Sequence, residues 1–246
     1  MGEAELALLA FVALATSALT AVVGLGGGII LLSVMLLFYE PLVAIPLHGA
    51  VQLVSNSSRA FVQREHVQWN LLGPYAVPLI PAGALGVWVV QSLPAALLRG
   101  AIGAFVLLAV WAPRVLLLGV HPERVPPARR FFGLGIVIGF LNTTVGATGP
   151  LQGPFYTDLG LSRHQIVGTF AAAQTLGHAI KIALFAAAGF VFADHAAGFA
   201  LLAVCVLVGT LLGSRLLDRV SESRFRALYR VVLTLVALRL LIDALL

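Results

Sequence analysis

Two apolar runs are broken by polar side chains at the same spacing. Gln52, Asn56 and Arg59 stand at i, i+4 and i+7, and Gln174, His178 and Lys181 repeat that pattern. The spacing puts each trio on one face of a helix. In lipid, such groups turn toward a bundle interior or a water-filled cavity. Amide N–H groups donate to an oxyanion, so Gln52, Asn56 and Gln174 read as ligands of a small anion. The competing role is interhelical hydrogen bonding that only holds a bundle together. Arg59 reads as a boundary residue whose guanidinium snorkels to the interface. Lys181 is the only lysine, and His178 lies one turn before it. Both are titratable groups inside an apolar run, and so are candidates for coupling proton movement to anion movement.

Two glycine-rich breaks accompany these trios: Gly24-Leu-Gly-Gly-Gly28 and Gly146-Ala-Thr-Gly-Pro150. Glycine lets a backbone turn sharply and approach a ligand closely. Each break precedes a helix start, at Ile29 and at Pro150, and proline suits a first helical position. Unpaired N–H groups and a partial positive charge at two such starts would make an anion site near mid-membrane. Gly26, Gly27, Gly28 and Gly149 are therefore candidate ligands. Asn142 before the second break and Thr148 within it add donors. The matching stretch of the first half offers Thr16, Ser17, Thr20 and Ser33 instead.

Other chemistries lack their residues. Cys205 is the only cysteine, which excludes dithiol redox chemistry within the chain. No His-x-x-x-His pair or acidic cluster has metal-ligand spacing, so no metal site and no cofactor are expected. The glycine runs lack the βαβ context of a dinucleotide fingerprint, and no Gly-x-Ser-x-Gly elbow is present. An enzyme is the least supported class. His48, with Phe170 as its repeat counterpart, reads as structural.

The elements that position these residues follow from composition. Of 246 residues, 60% are hydrophobic and 10% charged. At roughly 20 apolar residues per span, that supplies about seven crossings. A soluble domain carries about a quarter charged residues, so a soluble enzyme is excluded. The basic balance would suggest nucleic acid in a soluble protein, but the arginines sit between apolar runs, where they orient a membrane protein instead. No nucleic-acid partner is expected. The first run, 4–23, follows Glu3 and Glu5 rather than a basic stretch, so it reads as a retained helix and not a signal.

Apolar segments fall at 4–23, 29–39, 41–61, 70–91, 94–118, 130–146, 150–160, 163–192, 195–217 and 224–245. All are expected to be helices, since open strands cannot span lipid. The segments 29–39 and 150–160 are too short to cross and read as re-entrant. A shift of 122 residues lays Gly24 on Gly146, Gln52 on Gln174, Asn56 on His178 and Arg59 on Lys181; a shift of 127 lays Gly86 on Gly213. An internal repeat follows.

The expected architecture is an all-α polytopic membrane protein of two inverted repeats. Residues 1–118 would form the first: a re-entrant hairpin at about 4–39, then three spans. A cytoplasmic linker, 119–129, would lead to the second, 130–246, with its hairpin at about 130–160 and three more spans. This arrangement collects Arg59, Arg64, Arg114, Arg124, Arg129, Arg130, Arg163, Arg215, Arg219, Arg224 and Arg226 on one side, against Arg99 and Arg239 on the other. Reading each interrupted segment as one broken crossing would instead divide them about evenly. Cytoplasmic loops carry the excess of basic residues, so hairpins are favoured and both termini are placed outside the cytoplasm.

The Gly24–Gly28 signature between a long and a short helix resembles that of the sulfite exporter TauE/SafE family. Its recurrence in the second half and the Glu65-His-Val-Gln-Trp69 lead into the next helix fit as well. The resemblance covers essentially the whole chain. It implies a multi-pass inner-membrane transporter that moves sulfite or organosulfonates, largely outward. In places this chain departs from the family pattern. The second signature is Gly146-Ala-Thr-Gly-Pro150, and Leu32 stands opposite Pro154. A passive anion channel, an importer of a related anion, and a membrane protein that binds a partner through 119–130 remain alternatives. The oligomeric state is not legible.

Overall fold

The computed structural model describes residues 2–23, 27–156, 158–216 and 222–245. Among the described residues every regular element is helical. The long helices are α1 (Glu3–Val23), α3 (Pro41–Val62), α4 (Trp69–Ser92), α5 (Ala95–Trp111), α6 (Pro127–Thr144), α8 (Arg163–Ala187), α9 (Ala196–Leu216) and α10 (Glu222–Asp243). Two short ones lie where the sequence is broken: α2 (Gly27–Met35) and α7 (Gly149–Gln152).

Local chemistry sets several boundaries. Pro41 and Pro127 open α3 and α6 in the first helical turn, where a missing N–H costs nothing. The start of α6 therefore lies inside the stretch expected to be a linker. Ser162 caps α8 by accepting from the Gln165 backbone, while the Gln165 side chain accepts from the Ser162 N–H. Gly146, at φ +87°, takes the left-handed turn that ends α6.

The short segments depart from expectation. The first is helical only to Met35 rather than to 39. The second, expected as a helix over 150–160, is one α-turn followed by a 3-10 turn, Gly153–Tyr156. Pro154 stands four residues after Pro150. Its ring lacks the N–H that would continue the α ladder and crowds the Pro150 carbonyl.

Helices pack in four principal pairs: α1 with α9, α3 with α8, α4 with α6, and α5 with α10. Exchanging α1–α5 for α6–α10 leaves this pairing unchanged. The secondary contacts of α4 with α8 and of α3 with α9 exchange in the same way. Glycines set the close approaches. Gly135 and Gly139 of α6 lie against the Tyr75 and Leu79 carbonyls, so α4 and α6 run parallel. Gly209 and Gly213 of α9 lie against the Leu14 and Ala18 carbonyls, so α1 and α9 are parallel too. In α3 and α8, Gly49 faces Lys181 and Gly168 faces Gln63, so this pair is antiparallel.

Among the described residues, four helices are long and apolar enough to cross a membrane, or five if α5 and the segment bent 113° from it count as one span. They include α1, α4, α8 and α9; α3 is not among them. The reason is its polar face, which α3 buries against the rest of the protein: His48, Gln52, Asn56 and Arg59 are all buried. The chain is a multi-pass membrane protein by these helices.

Leu6 of α1 lines a small cavity with Met35 and Tyr39, which lie at the end of α2 and just beyond it. In the other half, buried Arg130 donates to both carboxylate oxygens of Asp158, at 3.1 and 3.2 Å, tying the start of α6 to the chain beyond α7.

Candidate functional site

The polar faces of α3 and α8 enclose a cavity. His48, Gln52, Asn56 and Arg59 line it from α3, and Phe170, Gln174 and His178 from α8. Thr20 of α1, Gly28 and Ile29 at the start of α2, and the 147–150 segment complete the wall. Residues from both sequence halves therefore converge on one space. Its open centre is about 20 Å³. A water needs about 10–15 Å³ on that measure, so an anion of several heavy atoms requires the wall to move.

A hydrogen-bonded chain runs down the α3 side. Asn56 Nδ2 donates to the Gln52 carbonyl at 2.8 Å and to Gln52 Oε1 at 3.2 Å. Asn56 Oδ1 in turn accepts from Arg59 Nη2 at 2.6 Å. Arg59 Nη1 donates to the Thr20 carbonyl at 3.3 Å. On the α8 side, Gln152 Nε2 donates to Gln174 Oε1 at 2.8 Å. His48 Nε2 bonds the Gly28 carbonyl at 2.8 Å, and the His48 and His178 rings meet edge-on with centroids 5.9 Å apart.

The charges are unusual for a protein interior. Arg59 is only 7% exposed and Lys181 is fully buried. The Lys181 Nζ donates to the Gly146 carbonyl at 3.0 Å and to Asn142 Oδ1 at 3.4 Å. Its stem crosses to α3 at Gly49, where any Cβ would displace it. Among the described residues, ion pairs of Arg64, Arg99, Arg130 and Arg239 lie elsewhere, and no carboxylate lines the cavity. Two buried cations thus rest on neutral oxygens. Among the described residues, buried Arg59 Nε, Asn142 Nδ2 and His178 Nδ1 also have no hydrogen-bond partner. A cation with spare donors and no counter-charge is what a buried anion requires.

Of the residues expected from sequence, Gly28, Gln52, Asn56, Thr148, Gly149, Gln174 and His178 line the cavity. Gly27 instead packs on the Thr16 carbonyl, and Gly26 lies outside the described residues. Asn142 and Lys181 are buried beside the cavity without lining it. Thr143 and Thr144 bond carbonyls of α4 and of their own helix, a structural role.

Two expectations are corrected. Arg59 does not snorkel: α1 ends beside it, and the Thr20 carbonyl holds its guanidinium inward. The second helix start is a single turn, too short for a dipole like that of a full helix. His48 and Gln152 were missed as neighbours of the site, whereas Thr20 lies in the first-half stretch already matched to the second break. His48 stands one turn before Gln52 on the same face, which is a signal the sequence carries. Gln152 has Ile30 as its repeat counterpart, so no pattern marks it.

Comparison with known families gives one match. The family model described as Sulfite exporter TauE/SafE matches residues 9–240, nearly the whole chain. No curated protein and no solved structure matches the chain.

Proposed function

The chain belongs to the sulfite exporter TauE/SafE family, and on that premise we propose that the cavity between α3 and α8 is the substrate site of an exporter for sulfite or an organosulfonate. The observation that carries this reading is Arg59: a buried guanidinium with a free Nε–H, facing a carboxylate-free cavity built by both sequence halves. Gln52, Asn56, Thr148 and Gln174 supply neutral donors around it, and Gly28 and Gly149 let the backbone approach the anion. The positive end of α2 adds to the guanidinium. Asn142 acts from behind, by holding Lys181.

The two halves are inverted repeats, and each opens with a re-entrant hairpin. The symmetric helix pairing supports this, as does the return of α2 to the level of Leu6. So do two equivalent contacts: Arg59 reaches Thr20, and Lys181 reaches Asn142, each pair related by the 122-residue shift. The linker side, rich in arginine, faces the cytoplasm, and both termini lie outside it in the inner membrane. Rocking of one half against the other would widen the narrow cavity toward alternate sides.

Export needs no second ion. An anion leaving a negative-inside cell gains about 2.3 kcal/mol per charge per 100 mV. Where a proton does move with the anion, His178 at the wall and Lys181 beneath it are the groups placed to carry it.

Thermal stabilisation of the purified protein tests the site. Sulfite, sulfoacetate, taurine, thiosulfate, sulfate and chloride are compared at matched ionic strength. Selective stabilisation by a sulfur anion, lost in Gln52→Ala/Gln174→Ala, is expected, because a ligand of the folded state alone raises its stability. Equal effects of all salts on a well-folded protein would remove the site.

A further inference from the structure

We propose that the apolar groove between α4, α5 and α6 is a binding site for one anionic phospholipid of the leaflet that meets the 112–126 loop. The groove is separate from the cavity and far larger, about 950 Å³. Its walls are apolar side chains such as Leu85, Phe105, Ile136 and Phe140, joined by Leu118 of the bent segment. From Phe132 to Leu141 the α6 wall rises roughly 14 Å. That is about the depth of one leaflet in a hydrocarbon core of ~30 Å. The groove therefore suits an acyl chain that enters from the loop side and ends near mid-membrane.

Charge at the mouth selects the headgroup. Arg129 stands three residues before Phe132 on the same face of α6. Arg114 directly precedes Val115, which lines the groove. Both arginines are exposed, and among the described residues neither has an ion-pair partner. The one acid in the loop, Glu123, bonds His121. Two free guanidiniums at the rim of a leaflet-deep apolar slot match a phosphate joined to acyl chains. A second copy of this chain seated there would bring its own arginines against them. The groove floor includes Leu151 and Phe155, just beyond the 147–150 segment that walls the cavity. A bound lipid thus braces that segment.

The test is native mass spectrometry of the full chain released from micelles doped with phosphatidylglycerol or phosphatidylcholine. Wild type is expected to retain one phosphatidylglycerol in preference to phosphatidylcholine. Arg114→Gln/Arg129→Gln, which changes only surface charge, should reduce that retention roughly tenfold or more. Ile136→Trp, which fills the slot, should also displace the lipid, while glycerol phosphate without acyl chains should not compete. Equal retention of both lipids, retention unchanged in the double variant, full competition by glycerol phosphate, or a lipid-free dimer would each overturn the proposal.

Discussion

Arg59→Gln separates a ligand-binding guanidinium from one that merely ties α1 to α3. In the unliganded protein Arg59 makes two hydrogen bonds, to Asn56 Oδ1 and the Thr20 carbonyl. Glutamine keeps an amide donor within reach of Asn56 three residues earlier but gives up the Thr20 contact. Losing that bond costs about 1.5–3 kcal/mol. Against this, the substitution removes a buried charge with no counter-ion, whose desolvation is several kcal/mol even after relaxation. Unliganded stability should therefore stay level or rise. Anion affinity should move the other way. A charged hydrogen bond of about 1.5–3 kcal/mol corresponds to roughly a 10- to 100-fold weaker Kd. Thermal unfolding against rising sulfite reads both quantities from one series. Unliganded unfolding at a markedly lower temperature, with wild-type sulfite stabilisation retained, would show that Arg59 is structural and refute the reasoning.

Three further predictions test the frame around the site. Gly28→Ala places a Cβ 3.2 Å from the Gln52 side-chain amide, so it should displace Gln52 and weaken sulfite stabilisation while the protein still purifies as a folded species. Gly209→Val drives a side chain into the Leu14 carbonyl between α1 and α9; overpacking of this kind costs about 1–3 kcal/mol, and its unfolding temperature should fall with or without anion. In a cysteine-free background, a cysteine at position 2 should react with an impermeant maleimide added to intact cells, and one at 121 only after lysis; the reverse pattern would sink the proposed orientation.

Much of the helical layout is legible in the sequence because lipid permits few alternatives. The apolar runs that begin at Pro41 and end at Gly146 become helices close to their expected limits. The trio spacing put Gln52 with Asn56 and Gln174 with His178 on helix faces, and the fold turns those faces onto one space. The failures are non-local. The depth of Arg59 depends on where α1 ends, forty residues away in sequence, and not on its own distance from the end of α3. Lys181 stays inside because Gly49 opposite leaves room for its stem. Burial then makes α3 look less like a membrane span than its neighbours, since its polar residues face protein and not lipid. The brevity of α7 was readable from Pro150 and Pro154 together, but only by attending to the lost N–H rather than to the apolar run.

Counterflow in proteoliposomes tests the central claim most directly. Vesicles loaded with unlabelled sulfite and carrying the wild-type protein should accumulate labelled sulfite from outside, with chloride a poor competitor and organosulfonates strong ones. Arg59→Gln and Gln52→Ala/Gln174→Ala should each reduce the initial rate at sub-saturating sulfite by roughly tenfold or more. Flux no greater than that of empty vesicles, with the protein inserted and folded, or flux indifferent to both variants, would contradict an anion site between α3 and α8.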